Sequence, residues 1–207
     1  MKTDRWLLVC HPWFGLNDAT RAEAARLATE LGGTNVLCPD MFHGKTSTDR
    51  NSAAALMGSL SVKYARTVIA AARQYVGPAA EVATIGWGMG ATLSLQAAIA
   101  MGHQGAGCVF FYGVPEEDPL LLAGLHGPVL GIFAEEDAMI NTDVVSRFAR
   151  NMAKAGKQLQ METYKADNGF ADPSDLHPGT KAARSANARA IAFLANVLHL
   201  ANIATKP

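Results

Sequence analysis

No apolar run in this sequence approaches the ~20 residues that a membrane-spanning helix requires, so no such helix is expected. The chain also lacks an excess of either charge. Lys+Arg and Asp+Glu number 18 each, and the basic residues are scattered rather than clustered. A nucleic acid or an anionic membrane needs a basic face, so neither is expected as a partner. Cysteine is scarce. Cys10, Cys38 and Cys108 form no C-x-x-C pair, which removes the usual metal and redox motifs. Three cysteines, each in or at the end of an apolar run, fit a reducing compartment. Cys10, at a strand end, is either a reactive thiol or a small buried hydrophobe. The apolar run 6–10 is too short for a signal-peptide core and no small-residue cleavage site follows it. A cytoplasmic location is expected, with no cofactor.

What is present is a chain of 207 residues, 49% of them hydrophobic. That suffices for one domain over 1–207 with a sizeable core. Short β-rich runs alternate with longer Ala-rich helical ones. Strands are expected at 6–10, 35–38, 81–86, 107–112, 128–134 and 158–164. Helices are expected at 20–31, 52–60, 62–76, 89–101, 142–155 and 182–199. A Pro/Gly/Asp-rich loop covers 167–180, and disorder is expected only over 204–207. This alternation implies βαβ units and a doubly wound, mainly parallel α/β sheet with helices on both faces. Sites in such sheets lie at the carboxyl ends of the strands. The loops at 11–18, 39–45, 87–89, 113–118, 135–140 and 165–177 should therefore converge.

The most informative stretch is Thr84-Ile85-Gly86-Trp87-Gly88-Met89-Gly90-Ala91. It reads as the strand–turn–helix of a nucleophile elbow, G-x-S-x-G, whose central residue points a hydroxyl or thiol into the site. Here the central residue is Gly88, which has no side chain. In α/β-hydrolases an acid and a histidine follow the nucleophile in chain order. The apolar strand ending in Glu135-Glu136-Asp137 supplies the acid position at Asp137. The loop Asp167-Asn168-Gly169-Phe170 has Asn168 where the histidine belongs. Asparagine can hydrogen-bond Asp137, but it accepts no proton at neutral pH and cannot act as a general base.

These segments together resemble the dienelactone hydrolase family over nearly the whole chain. His11-Pro12-Trp13-Phe14-Gly15-Leu16-Asn17 is similar to the family's H-E-x-x-G-L-N loop. Cys38-Pro39-Asp40-Met41-Phe42-His43-Gly44-Lys45 resembles its A-P-D-L-Y-x-G-K segment. Gly86-Trp87-Gly88-Met89-Gly90 matches its G-x-[CS]-x-G elbow except at the centre. Val129-Leu130-Gly131 through Asp137 resembles V-L-G-x-x-G-x-x-D, and Asn168-Gly169-Phe170-Ala171 with Pro173 resembles H-x-F-x-x-P. The resemblance implies an α/β-hydrolase fold acting on esters or lactones. The departures fall on the chemistry: Gly88 for the nucleophile, Asn168 for the histidine, Pro12 for a loop glutamate. Asp172 stands where some members place a carboxylate-binding arginine.

The resemblance further implies an oxyanion hole from the backbone N–H groups of Trp13 and Met89, which needs no side chain. Trp87, Phe170 and Asp172 are expected at the ligand, with Phe111 in the core. His11, at the first strand's end, is either a substitute acid or base or a hydrogen-bonded loop histidine, and the same choice applies to His43 and His177. Two functions follow. One is a non-catalytic homologue that binds a small molecule over Gly88, as a monomer or homodimer. The other is a hydrolase with an unorthodox mechanism, using the oxyanion hole with His11 or a water as base.

Overall fold

A computed structural model describes residues 4–174 and 179–200. His177 and residues 204–207 lie outside them. Six strands form one sheet: β1 (Arg5–Cys10), β2 (Asn35–Leu37), β3 (Glu81–Trp87), β4 (Gly105–Phe111), β5 (Val129–Glu136) and β6 (Leu159–Asp167). The order is β2-β1-β3-β4-β5-β6, and every pairing is parallel. The chain first winds outward through β2, then returns to place β3 on the other side of β1. The β1/β3 boundary is thus the switch point, where a crevice opens at the carboxyl ends.

Strand alternation divides the core between the two faces. Leu7, Val9, Ala83, Ile85, Trp87, Val109 and Phe111 face α1 (Asp18–Glu30) and α7 (Lys181–Val197), which contribute Leu27, Ala186 and Leu194. On the other face, Leu8, Cys10 and Val82 pack under α3 (Val62–Val76) and α4 (Met89–Met101). Phe110, Val129 and Phe133 pack under α4 and α6 (Thr142–Lys154). The remaining α-helices among the described residues are α2 (Arg50–Ser59) and the single turn α5 (Pro119–Leu122). That turn falls in the expected loop after β4. Four residues opening on proline show no helical periodicity, but Asp118 caps them by accepting from the Leu120 N–H.

Helix α4 is clamped to the sheet at its first turn. A Cβ on Gly90 would lie 2.3 Å from the Cys10 carbonyl oxygen and 2.6 Å from that of His11; one on Gly86 would lie 2.1 Å from the Gly90 carbonyl oxygen. Only hydrogens fit where β1, β3 and α4 cross. Because the obstacles are backbone, no rotamer change relieves them. Gly90→Ala is therefore expected to cost about 3 kcal/mol or more, measured as a lowered midpoint in urea. A loss below about 1 kcal/mol would contradict the crossing.

Candidate active site

Gly88 joins β3 to α4 with φ +55° and ψ −116°, a conformation that costs a residue bearing a Cβ about 1–3 kcal/mol. Its N–H donates to the Phe111 carbonyl at 3.0 Å, and its carbonyl accepts from Ala91 at 3.0 Å. These bonds hold the turn against the β4 edge. A Cβ built on Gly88 meets no atom within 4 Å. The turn has the shape of a nucleophile elbow with open space where the side chain would stand. Side chains cap α1, α2, α3, α6 and α7; α4 begins at Gly88 without such a cap.

The space above Gly88 is part of a cavity of about 830 Å³. Trp13, Trp87, Gly88, Met89, Asn168 and Asp172 all line it, as the sequence suggests. The Met89 N–H is the first of α4 and lies outside the helical ladder. Trp13 follows Pro12 in the turn closed by Gly15 N–H to Pro12 O at 3.0 Å, a bond that leaves the Trp13 N–H unused. Trp87 is buried and stacks on Phe111 with ring centres 5.6 Å apart. Its indole N–H has no acceptor among the described residues.

Asp137 sits behind the wall, 6% exposed. Its Oδ1 accepts from the Met139 and Ile140 N–H groups at 2.9 and 2.8 Å, and its Oδ2 accepts from Asn168 Nδ2 at 2.5 Å. A carboxylate only accepts, so the Asn168 amide must turn its nitrogen toward Asp137. Asn168 is itself among the residues that line the cavity.

Two expected residues are not brought to the cavity. Phe170 turns inward between Tyr112 and Tyr164, with ring centres at 5.5 and 5.6 Å. The core behind the loop offers it more apolar contact than the opening does. His11 is fully buried, and both ring nitrogens are engaged. The Met41 N–H donates to Nε2 at 3.0 Å, so Nδ1 carries the proton and donates to the Pro12 carbonyl at 2.8 Å. His11 is thus a hydrogen-bonded loop histidine rather than a pocket base. Burial lowers its pKa, opposed by the Pro12 hydrogen bond and by Asp40 at 4.0 Å. His43 stays outside the cavity lining, stacked on Tyr64 with ring centres 4.2 Å apart. The thiols do not replace the nucleophile either. Burial raises all three, Cys38 and Cys108 each to about 11 and Cys10 further.

Nothing in the sequence marks the opposite wall. Asp49 and Arg50 at the start of α2, Met57 near its end, Leu60 beyond it, and Val62 at the start of α3 all line the cavity, joined by Leu93 of α4. Helical periodicity marks α2 and α3 as helices but not which neighbour they cover. Tyr112, also in the lining, has φ +38°. A non-glycine residue held there is strained, and such strain concentrates at sites.

The chain matches the dienelactone hydrolase family model over residues 3–198. It belongs to the dienelactone hydrolase family. Among curated relatives of this dienelactone hydrolase family chain, Protein usf of Aquifex pyrophilus is 26% identical over 178 residues, 78% of this chain and 76% of that protein. Among solved structures, a dienelactone hydrolase-like promiscuous phosphotriesterase from metagenomic libraries aligns at TM-score 0.81 and 19% identity, over 95% of this chain and 88% of that one. A thermophilic esterase from the Planctomycetes species Thermogutta terrifontis aligns at TM-score 0.64 and 16% identity, over 98% and 84%. At these identities the structures establish the fold, which is the α/β-hydrolase fold. Among the described residues no helix is long and apolar enough to cross a membrane.

Burial of neutral His11 sets a pH dependence. In the unfolded chain its imidazole titrates near 6.5, and in the folded chain lower. Above pH 6.5 both states are neutral and the stabilisation is complete. Below it the unfolded chain binds the proton first, so stability falls as the pH drops toward the folded-state value. In His11→Gln this contribution is gone, and the urea midpoint should vary less steeply between pH 7 and pH 5. An unchanged slope would contradict the assignment, whatever the variant's absolute stability.

Proposed function

We propose that this dienelactone hydrolase family member is a non-catalytic homologue that binds a small molecule over the vacated elbow. The observation that carries this reading is Gly88 itself: elbow dihedrals, no side chain, and open space within 4 Å above it. Covalent hydrolysis needs a nucleophile at that point and a base within reach. Residue 88 supplies no nucleophile, and Asn168 holds the base position with a group that takes no proton. The remaining parts, Asp137 and the backbone donors of Trp13 and Met89, can orient a ligand carbonyl without cleaving it. The engagement of both His11 nitrogens argues against the unorthodox mechanism, which would leave a water with no base to activate it.

Purified protein is accordingly expected not to hydrolyse p-nitrophenyl acetate through an acyl-enzyme, showing neither a burst nor an acyl adduct by mass spectrometry. Gly88→Ser should remain nearly inactive, because no base accompanies the new hydroxyl. Gly88→Ser combined with Asn168→His should exceed that single variant by about 100-fold, the range a positioned general base contributes. An acyl adduct on the natural chain, or equal activity in the single and double variants, would overturn the proposal.

A further inference from the structure

At about 830 Å³ the cavity lies in the upper half of the range that holds drug-sized molecules, more space than a small carbonyl group over Gly88 fills. The wall that leads away from Gly88 is apolar. Met89 and Leu93 stand one turn apart on α4 and so share a face, and both line the cavity. Leu60, in the link between α2 and α3, packs in the same apolar cluster as these two and lines the cavity with them. Met57 and Val62, close to Leu60 along the chain, also line it and reach the surface, where they are 43% and 64% exposed. These five residues form a strip that begins beside the elbow and ends in solvent.

The strip contains no charged or hydrogen-bonding side chain, so it contributes to binding only by burying apolar surface. Large apolar side chains left exposed together at a cavity wall mark a surface that a ligand covers. The core does not claim them: Ala53 is the buried residue of α2, and Met57 of that helix stands at the cavity instead. A path from the elbow to the surface suits a chain better than a ring. Resting on the binding function proposed above, we propose that the ligand is a carbonyl compound with a linear apolar tail, which lies along this strip from Gly88 toward Met57 and Val62.

The probes 2-pentanone, 2-heptanone and 2-nonanone keep one carbonyl and lengthen only the tail. As ketones they are not hydrolysed, so the result is independent of any esterase activity. Titrated by calorimetry and tryptophan fluorescence, they are expected to bind about threefold to fourfold more tightly per added CH₂, about 100-fold across the series. Met57→Glu and Val62→Glu place a charge at exposed positions, where substitution costs the fold little. Each should weaken 2-nonanone by about tenfold and leave 2-pentanone unchanged. Leu120→Glu, at a position 83% exposed and outside the cavity lining, should leave all three affinities unchanged, which separates the strip from general adsorption. Affinity independent of tail length, a dependence that Met57→Glu and Val62→Glu leave intact, or one that Leu120→Glu removes overturns the tail assignment and leaves the binding function standing. Binding by none of the three at about 1 mM overturns both.

Discussion

Where β3 turns into α4, the backbone of Gly90 lies against the carbonyls of Cys10 and His11, and Gly86 lies against Gly90. The remaining geometry of the site depends on this crossing. It brings the end of β1, and with it the loop carrying Trp13, beside the first turn of α4. It forces the residue between, Gly88, into a left-handed turn that faces away from the sheet. The switch between β1 and β3 leaves room above that point, and α2 with the start of α3 walls the room in. The turn keeps the shape of an elbow with glycine at 88 because the contacts that hold it are backbone. None of its close contacts requires a side chain at 88.

His11 and Asp137, buried beside the site, have their polar atoms engaged, whereas the Trp87 indole N–H has no acceptor among the described residues. His11 gives one nitrogen to Pro12 and receives Met41 on the other. Asp137 takes two backbone N–H groups and the Asn168 amide. Such closed networks rigidify a site, but they also remove their members from acid–base work. On the proposed binding reading, what remains for a ligand are the backbone N–H groups of Trp13 and Met89 and the part of the Asn168 amide not bonded to Asp137. On that reading the set positions a carbonyl compound without cleaving it. The large apolar opening adds affinity by area, with the polar end fixing orientation.

Much of this was legible in the sequence. The spans 62–76 and 89–101 coincide with α3 and α4 because both ends of each are marked: Ser61 caps the first and Gly77 ends it, and Gly88 and Gly102 bound the second. The elbow motif, the acidic strand end and their chain order pointed to Gly88, Asp137 and Asn168; in the structure Gly88 and Asn168 line one cavity and Asn168 bonds Asp137. The direction of a side chain within a loop did not. Phe170 and His11 stand in the expected loops, yet both turn inward, because burial and backbone partners on that side outweigh the opening. The wall formed by Arg50, Met57 and Leu60 was hidden for a different reason. Its place depends on how α2 packs against the rest, and periodicity records only that a helix has faces. Helix α5 is too short to leave a pattern.

The central claim is that residue 88 faces an open cavity at the start of α4, and a thiol placed there reports on it directly. In Gly88→Cys the introduced thiol should be reached by iodoacetamide at neutral pH and be favoured as a thiolate by the helix N-terminus. The three natural cysteines, two of them fully buried and all with raised pKa values, provide the internal reference. The predicted result is alkylation at position 88 at least about 100-fold faster than at Cys10, Cys38 or Cys108. Alkylation at 88 no faster than at those three would contradict the account.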